Sequence, residues 1–398
     1  MFNNNNIILL IHRWDYLTVR PYYIGLYLSK KGYNVTMLLP SEKFIFKYKI
    51  AAINRNYKLI YCPTILWKKL KKGSDPLDII MRIFLLIKLK YDLIIASDSR
   101  PSVILPAIFG KYYRRVPMIL EWTDWFGRGG TISERSGMLY RIFFENIENF
   151  FEEYFRKYAD GATVVCRPLE KRLRKLNYIK NIFDFPLPCH AVNIFNVNIL
   201  KMREKLQINK RKPLIGCVGT LFKTDAELLF ESFKLIKRKM DANLILIGIN
   251  NSKGTYKIPE GVFLTGNIGY DKLLEYVYCC DLMVIPLKNN IANNGRWPSK
   301  LNDYLVMGKP VVSTEISVVN ELFHIVPFGE LSKDNPNDFS NKILSLLNDR
   351  TKLKRYGKNA KRIAENQLNW NTVMKQFIVF INQTISDFNS SQNKTVTQ

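Results

Sequence analysis

At 398 residues the chain is too long for one ordinary core, so it is expected to fold as two domains of similar size. Its formal charge of +26 is spread over both halves, which excludes a basic tail as the source and points to an anionic partner: nucleic acid, an anionic membrane surface or a phosphorylated substrate. The six cysteines, at positions 62, 166, 189, 217, 279 and 280, show no C-x-x-C spacing, which argues against a zinc site or a disulfide frame and for buried thiols in a reducing compartment.

Residues 1–6 carry no positive charge and the apolar run that follows covers only 7–11, so no secretory signal is expected. In chain order, short apolar runs predict strands at 7–11, 34–39, 58–61, 93–96, 118–120, 162–166 and 182–185. Amphipathic stretches at 21–31, 77–90, 135–157 and 169–176 predict helices between them. The most hydrophobic window, 77–96, is interrupted by Asp78, Arg82, Lys88, Lys90 and Asp92 and does not read as a membrane span, so a soluble or peripherally attached protein is expected. Near-continuous apolar strands alternating with helices imply an α/β fold with a mostly parallel sheet covered on both faces.

Periodicity is lost from 187 to 212, where Asn209-Lys-Arg-Lys-Pro213 reads as a linker. The alternation then restarts, with strands at 214–218, 243–248, 262–264, 282–286 and 310–313 and helices at 225–240, 271–278, 299–307 and 318–323. Residues 336–388 read as wholly helical and 389–398 as a disordered tail. Two doubly wound, Rossmann-like units with a cleft between them follow, divided as 1–190, a linker 191–212, 213–369 and a final helix 370–388.

One stretch combines these signals with chemistry. In Trp297-Pro-Ser-Lys-Leu-Asn-Asp-Tyr-Leu-Val-Met-Gly-Lys-Pro-Val-Val312, Pro298 suits the start of a helix, Ser299 can cap it, Lys300 and Asp303 stand in its first turn, and Gly308 ends it. A helix N-terminus offers free N–H groups and a positive dipole end, so this is a candidate phosphate site; the alternative is an ordinary strand-to-helix connection.

The second unit resembles the donor-binding domain of GT-B glycosyltransferases, in particular the retaining family 4 (glycosyl transferases group 1). The likeness rests on Leu214-Ile-Gly-Cys-Val-Gly-Thr-Leu-Phe-Lys223, Asn243-Leu-Ile-Leu-Ile-Gly248, Val262-Phe-Leu-Thr-Gly266, Cys280-Asp-Leu-Met-Val-Ile-Pro286 and the 297–312 stretch, in order and spacing. The first unit is similar more loosely, through 25–36, 121–125 and 159–166. The resemblance implies an acceptor-binding first domain, a nucleotide-sugar-binding second domain and a C-terminal helix crossing back to the first. It implies a retaining hexosyltransferase acting on a glycan or lipid-linked acceptor in surface glycan or glycoprotein assembly. No cofactor is implied, and the absence of an Asp-x-Asp pair argues against a metal.

It also implies roles for residues. Lys223 falls where the family places a diphosphate-binding lysine, Thr220 stands near the place of the family's arginine, and Arg296 is expected to supply the missing charge. Gly219, Thr220, Lys223, Asn294, Gly295, Arg296, Pro298, Ser299, Lys300, Leu301 and Asp303 form the expected donor site, with Asp303 on the ribose hydroxyls. Gly295 stands where the family has its first glutamate, so the sugar contacts must differ, through Asn293, Asn294 or backbone groups. Glu121 and Asp124 are candidate catalytic groups at a strand end; Asp124 either orients an acceptor hydroxyl or caps the turn at 127–130. His12 and Arg13 are expected on the acceptor side. Trp67, Lys68, Lys69, Lys71 and Lys72 combine an aromatic with four cations and suggest contact with an anionic membrane at the cytoplasmic face.

Three other readings compete. A nucleic-acid-binding protein explains the charge but not the ordered donor-domain segments, so no nucleic acid is expected. A GT-B epimerase is not supported by the acids of the first domain. A degenerate nucleotide binder is suggested by Thr123, Thr220 and Gly295.

Overall fold

The computed structural model describes residues 6–15, 17, 20–65, 73–135, 137–192, 202–204, 212–251, 254 and 256–396. They form two units, Met1–Pro186 with Met374–Gln398, and Leu187–Val373. Most of the expected linker, 193–201 and 205–211, and the basic segment 66–72 with Trp67, Lys68, Lys69, Lys71 and Lys72 lie outside the described residues.

The first unit runs β1 (Asn6–Ile11), α1 (Arg20–Lys30), β2 (Asn34–Pro40), β3 (Lys49–Asn54), β4 (Tyr57–Cys62), α2 (Pro76–Lys88), β5 (Leu93–Ser97) and α3 (Pro101–Arg114). It continues with β6 (Met118–Trp122), α4 (Thr131–Arg135), α5 (Met138–Glu153), β7 (Gly161–Val164), α6 (Arg167–Leu176) and β8 (Ile182–Asp184). These strands form one sheet, β3-β4-β2-β1-β5-β6-β7-β8, parallel except where β3 meets β4. Local chemistry sets the ends: Asp75 accepts from the N–H groups of Leu77 and Asp78, and Pro76 fills the first position of α2.

Two elements here depart from the sequence pattern. Helix α3 holds Pro106, which interrupts its helical signature, yet the surrounding apolar face is buried and packing overrides the local cost. Strand β3 holds a short apolar run, Ile50-Ala-Ala-Ile53, but is mostly exposed and is held at the sheet edge by its antiparallel neighbour.

The second unit runs β9 (Leu214–Val218), α7 (Lys223–Lys239), β10 (Asn243–Ile247), β11 (Val262–Leu264), α8 (Tyr270–Cys279) and β12 (Leu282–Ile285). Then follow α9 (Ile291–Asn294), α10 (Lys300–Val306), β13 (Val311–Thr314), α11 (Ser317–Ile325), β14 (Gly329–Ser332), α12 (Pro336–Leu347), α13 (Arg350–Asn366) and α14 (Trp370–Val396). Its sheet, β11-β10-β9-β12-β13-β14, is wholly parallel, and every residue of β9 and β10 is buried because helices cover both faces. The chain is thus α/β with two parallel-sheet, Rossmann-like units.

Beyond residue 373 the last helix belongs to the first unit. Phe377 packs on Phe185 with ring centroids 4.6 Å apart, and Asn181 donates to Thr384 Oγ1 at 3.0 Å. Residues 389–396, expected to be disordered, continue this helix to Val396: no glycine or proline follows Trp370, so nothing in the backbone stops it. The close approach depends on Gly161, where an added Cβ would lie 2.9 Å from both Phe380 Cζ and Thr384 Oγ1. Gly161→Ala is therefore expected to cost about 1–3 kcal/mol through overpacking, read as a lower denaturation midpoint at unchanged slope.

Candidate functional site

In each sheet the winding reverses at one strand, and the loops leaving the C-terminal ends of that strand and its neighbour diverge to leave a crevice. In the second unit the reversal falls between β9 and β12. The chain leaving β9 turns at Gly219, whose φ of +75° suits a residue without a side chain. Exposed Thr220 follows, and Lys223 opens α7 with its side chain in solvent. Helix α10 is fixed over the crevice by the Tyr304 hydroxyl, which accepts from Val218 N–H at 2.9 Å and faces the Val284 carbonyl at 3.3 Å.

The charges around this crevice are not fully matched. Asp225, in the first turn of α7, is 1% exposed; its Oδ1 accepts from Lys288 N–H at 3.1 Å, while Oδ2 has no hydrogen-bond partner among the described residues. Burial raises its carboxyl above the usual range, against the downward pull of the Lys288 N–H, Lys300 and Arg296. Lys300 Nζ is buried and likewise has no hydrogen-bond partner among the described residues. Arg296 donates to Asn293 Oδ1 and lies 5.8 Å from the Phe222 ring, beside the loop after β9. Lys300 and Arg296 therefore both act on the β9–α7 junction, a cationic setting for an anion.

Other expected donor residues sort by what they touch. Asp303 accepts from Tyr270 at 2.8 Å, and burial pushes its carboxyl up to about 6 in spite of that bond. Pro298 and Gly295 are buried, and Leu301 is wholly inside the core, leaving only its backbone for a ligand. Ser299 does not cap α10. Its own backbone is helical, with φ −54° and ψ −31°, so its exposed side chain is not aimed at the first-turn N–H groups. Asn294 serves as a strut: it donates to Asn289 Oδ1 and the Asn290 carbonyl and accepts from Ser317 N–H, which leaves it little capacity for a sugar.

The first sheet reverses between β1 and β5, and two expected residues flank that point. His12 Nδ1 lies 3.2 Å from Asp98 Oδ2. Burial lowers the His12 pKa; Asp98 opposes that shift, and Arg100 and Arg13 reinforce it. Arg13 pairs with Asp15, and the charge of exposed Asp124 also acts on it. Glu121 is different. It is 1% exposed; Oε1 pairs with Arg20 at 2.6 Å, Arg20 also donates to the Phe185 carbonyl, and Oε2 has no hydrogen-bond partner among the described residues.

Three groups were not singled out in the sequence. Asp98 follows β5 with φ of +116°, held by a bond from Ser99 N–H to its own Oδ1 at 2.5 Å. Arg100 pairs with Glu148 at 2.5 Å and stacks 4.1 Å from the Phe126 ring. Asp225 is the third. The run Ser97-Asp-Ser-Arg-Pro101 at a strand end was the available signal for the first two.

The raised Asp303 value gives a pH dependence of definite sign. Between its ordinary value of 3.8 and about 6 the folded state holds the proton more tightly than the unfolded chain. The contribution to stability is therefore greatest below that window, declines as pH rises through it, and the full cost of the buried charge is present above it. Asp303→Asn is expected to remove this decline and to melt higher than the parent at neutral pH. Melting curves across that window, showing a parent-like decline in the variant, would assign the effect elsewhere.

Residues 198–363 match the family Glycosyl transferases group 1. An uncharacterized glycosyltransferase of Methanocaldococcus jannaschii, MJ1069, is 22% identical over 235 residues, 56% of this chain and 58% of that protein. The chain spans between 39% and 58% of the length of the curated relatives it matches. Among solved structures, sucrose-phosphate synthase from Thermosynechococcus elongatus superposes with a TM-score of 0.72 at 16% identity, over 96% of this chain and 100% of that one. Anabaena HepE, in complex with UDP and glucose, superposes with a TM-score of 0.63 at 14% identity, over 96% and 100%. The second unit thus matches the group 1 glycosyl transferases over residues 198–363, and the two parallel sheets share the GT-B fold of these solved structures.

Proposed function

We propose that the protein is a retaining, metal-independent hexosyltransferase that moves a sugar from a nucleotide-diphosphate donor to a glycan or lipid-linked acceptor. The observation that carries this reading is the buried Lys300 ammonium without a hydrogen-bond partner among the described residues, set with Arg296 about the loop after β9. A buried ammonium is costly unless an anion meets it, and a diphosphate would.

In the proposed reaction the bond from the anomeric carbon to the β-phosphate oxygen breaks, and a bond from that carbon to the acceptor oxygen forms on the same face. The acceptor proton passes to the leaving phosphate, so no enzyme nucleophile is needed. Lys300, Arg296 and Lys223 stabilise the charge that grows on the diphosphate. Asp303 takes the ribose diol, and the edge carrying His12, Arg13, Asp98 and Asp124 is assigned to the acceptor. The setting we favour is surface glycan or glycoprotein assembly by a peripheral protein on the cytoplasmic face of the membrane.

UDP is the first diphosphate to try, because HepE, which shares the fold, holds it. Thermal melts with UDP, GDP, ADP, CMP and their sugar conjugates, in EDTA, are expected to give a selective rise with one diphosphate. At a hundredfold excess over Kd the gain is about 2.7 kcal/mol. Lys300→Met is expected to weaken that ligand on the order of tenfold to a hundredfold while leaving the unliganded melt no lower. No shift with any nucleotide would count against the donor site; a selective shift without transfer to any acceptor would favour a degenerate nucleotide binder, as Thr123, Thr220 and Gly295 suggest.

A further inference from the structure

A chain of hydrogen bonds runs from α7 to Arg296. Asp225, in the first turn of α7, accepts from Lys288 N–H at 3.1 Å; the Lys288 carbonyl accepts from Asn293 Nδ2 at 2.8 Å; and Asn293 Oδ1 accepts from Arg296. Asp225 and Asn293 are 1% and 2% exposed, so water competes little for these bonds. Asn293 is held on a second side as well. Its N–H donates to Asn290 Oδ1 at 2.9 Å, and Asn290 N–H donates to the same Lys288 carbonyl at 3.0 Å.

The two ends of this chain carry cations. Lys223 opens α7 two residues before Asp225, and Arg296 stands beyond α9, while the bond from Lys288 to Asp225 joins segments 63 residues apart. The placing of Arg296 relative to Lys223 is therefore set by a tertiary contact and not by local backbone. Thr314 donates to the Leu287 carbonyl, and Lys288 Nζ to the Asp334 carbonyl at 2.9 Å, so residues 287–288 are also fastened on the β13 and β14 side. These bonds keep the segment docked when Asp225 is replaced; what Asp225 adds is the tie to α7. An arginine side chain has several rotatable bonds, and one fixed before an anion arrives loses less freedom on binding it. A carboxylate near an anion site opposes the anion by its charge, so Asp225 can favour such a site through its hydrogen bond to Lys288.

We infer that Asp225 is a positioning residue for the diphosphate site, which acts through Lys288 and Asn293 to hold Arg296 beside the loop after β9. That Arg296 meets a diphosphate rests on the function proposed above; the tie between α7 and residues 288–296 does not.

Calorimetric titration with the nucleotide that the melts select among UDP, GDP and ADP reads the effect on the site. Asp225→Ala is expected to weaken binding on the order of tenfold. Asp225→Asn keeps an oxygen for Lys288 N–H and loses the charge, so it should bind no more weakly than the parent. Added to Arg296→Ala, the Asp225→Ala change should cost less than about twofold, because the side chain it positions is gone. Equal losses in Asp225→Ala and Asp225→Asn, or full additivity with Arg296→Ala, would overturn the inference. Hydrogen exchange of the nucleotide-free protein tests the tie by itself. Amides of residues 288–296 are expected to exchange roughly tenfold faster in Asp225→Ala than in the parent or Asp225→Asn, while those of α12 stay protected. Parent-like exchange of that segment in Asp225→Ala would overturn the inference whether or not a nucleotide binds. A parent that binds no nucleotide, with exchange altered as expected, would sink the donor reading and leave the tie standing.

Discussion

One buried oxygen organises the second unit. The Tyr304 hydroxyl joins the end of β9, through Val218 N–H, to the end of β12, through the Val284 carbonyl, where the diverging strands leave those backbone groups without a strand partner. Burial holds the phenol pKa well above its usual value, so the group stays neutral and can accept and donate at once. Lys300 stands one helical turn earlier on the same face of α10, so the anchor that fixes the helix also fixes the ammonium over the loop after β9. Asp225 closes the same region from the other side through Lys288 N–H.

The first unit uses the same strand reversal with a different distribution of charge. Several of its acids are engaged within the fold: Glu121 with Arg20, Glu148 with Arg100, and Glu152 with the loop after β6. Arg156, buried 3.7 Å from the Trp122 ring, is lowered to about 9 by burial, the charge of Glu152 opposing that shift only in part. Basic side chains outnumber acidic ones, so many lysines and arginines remain at the surface. This is how a chain with 60 basic and 34 acidic side chains turns a positive, partly apolar exterior toward its surroundings.

Much of this was legible in the residues. The apolar runs became the central strands because parallel sheets bury both faces, and the spacing of Gly219, Lys223 and the 297–312 stretch located the second crevice. Strand β3 was not legible because its apolar run, Ile50-Ala-Ala-Ile53, is short and lies at a largely exposed sheet edge, and α3 was hidden by Pro106. The pairing of Glu121 was not legible because a carboxylate at a strand end carries no sign of the arginine that will meet it, and Arg20 lies 101 residues away. Ser299 was misread because capping depends on the backbone angles of the residue and not on its identity.

The sequence by itself determined the α/β alternation, the two units and the places of the loop after β9 and of the start of α10, because hydrophobic period, glycine placement and helix signals act locally. Only the tertiary structure decided which charges stay free. Whether Lys300, Asp225, Glu121 or the acids of α5 are paired depends on contacts between segments far apart in the chain, and the cost of burying an unmatched charge appears only when those segments meet.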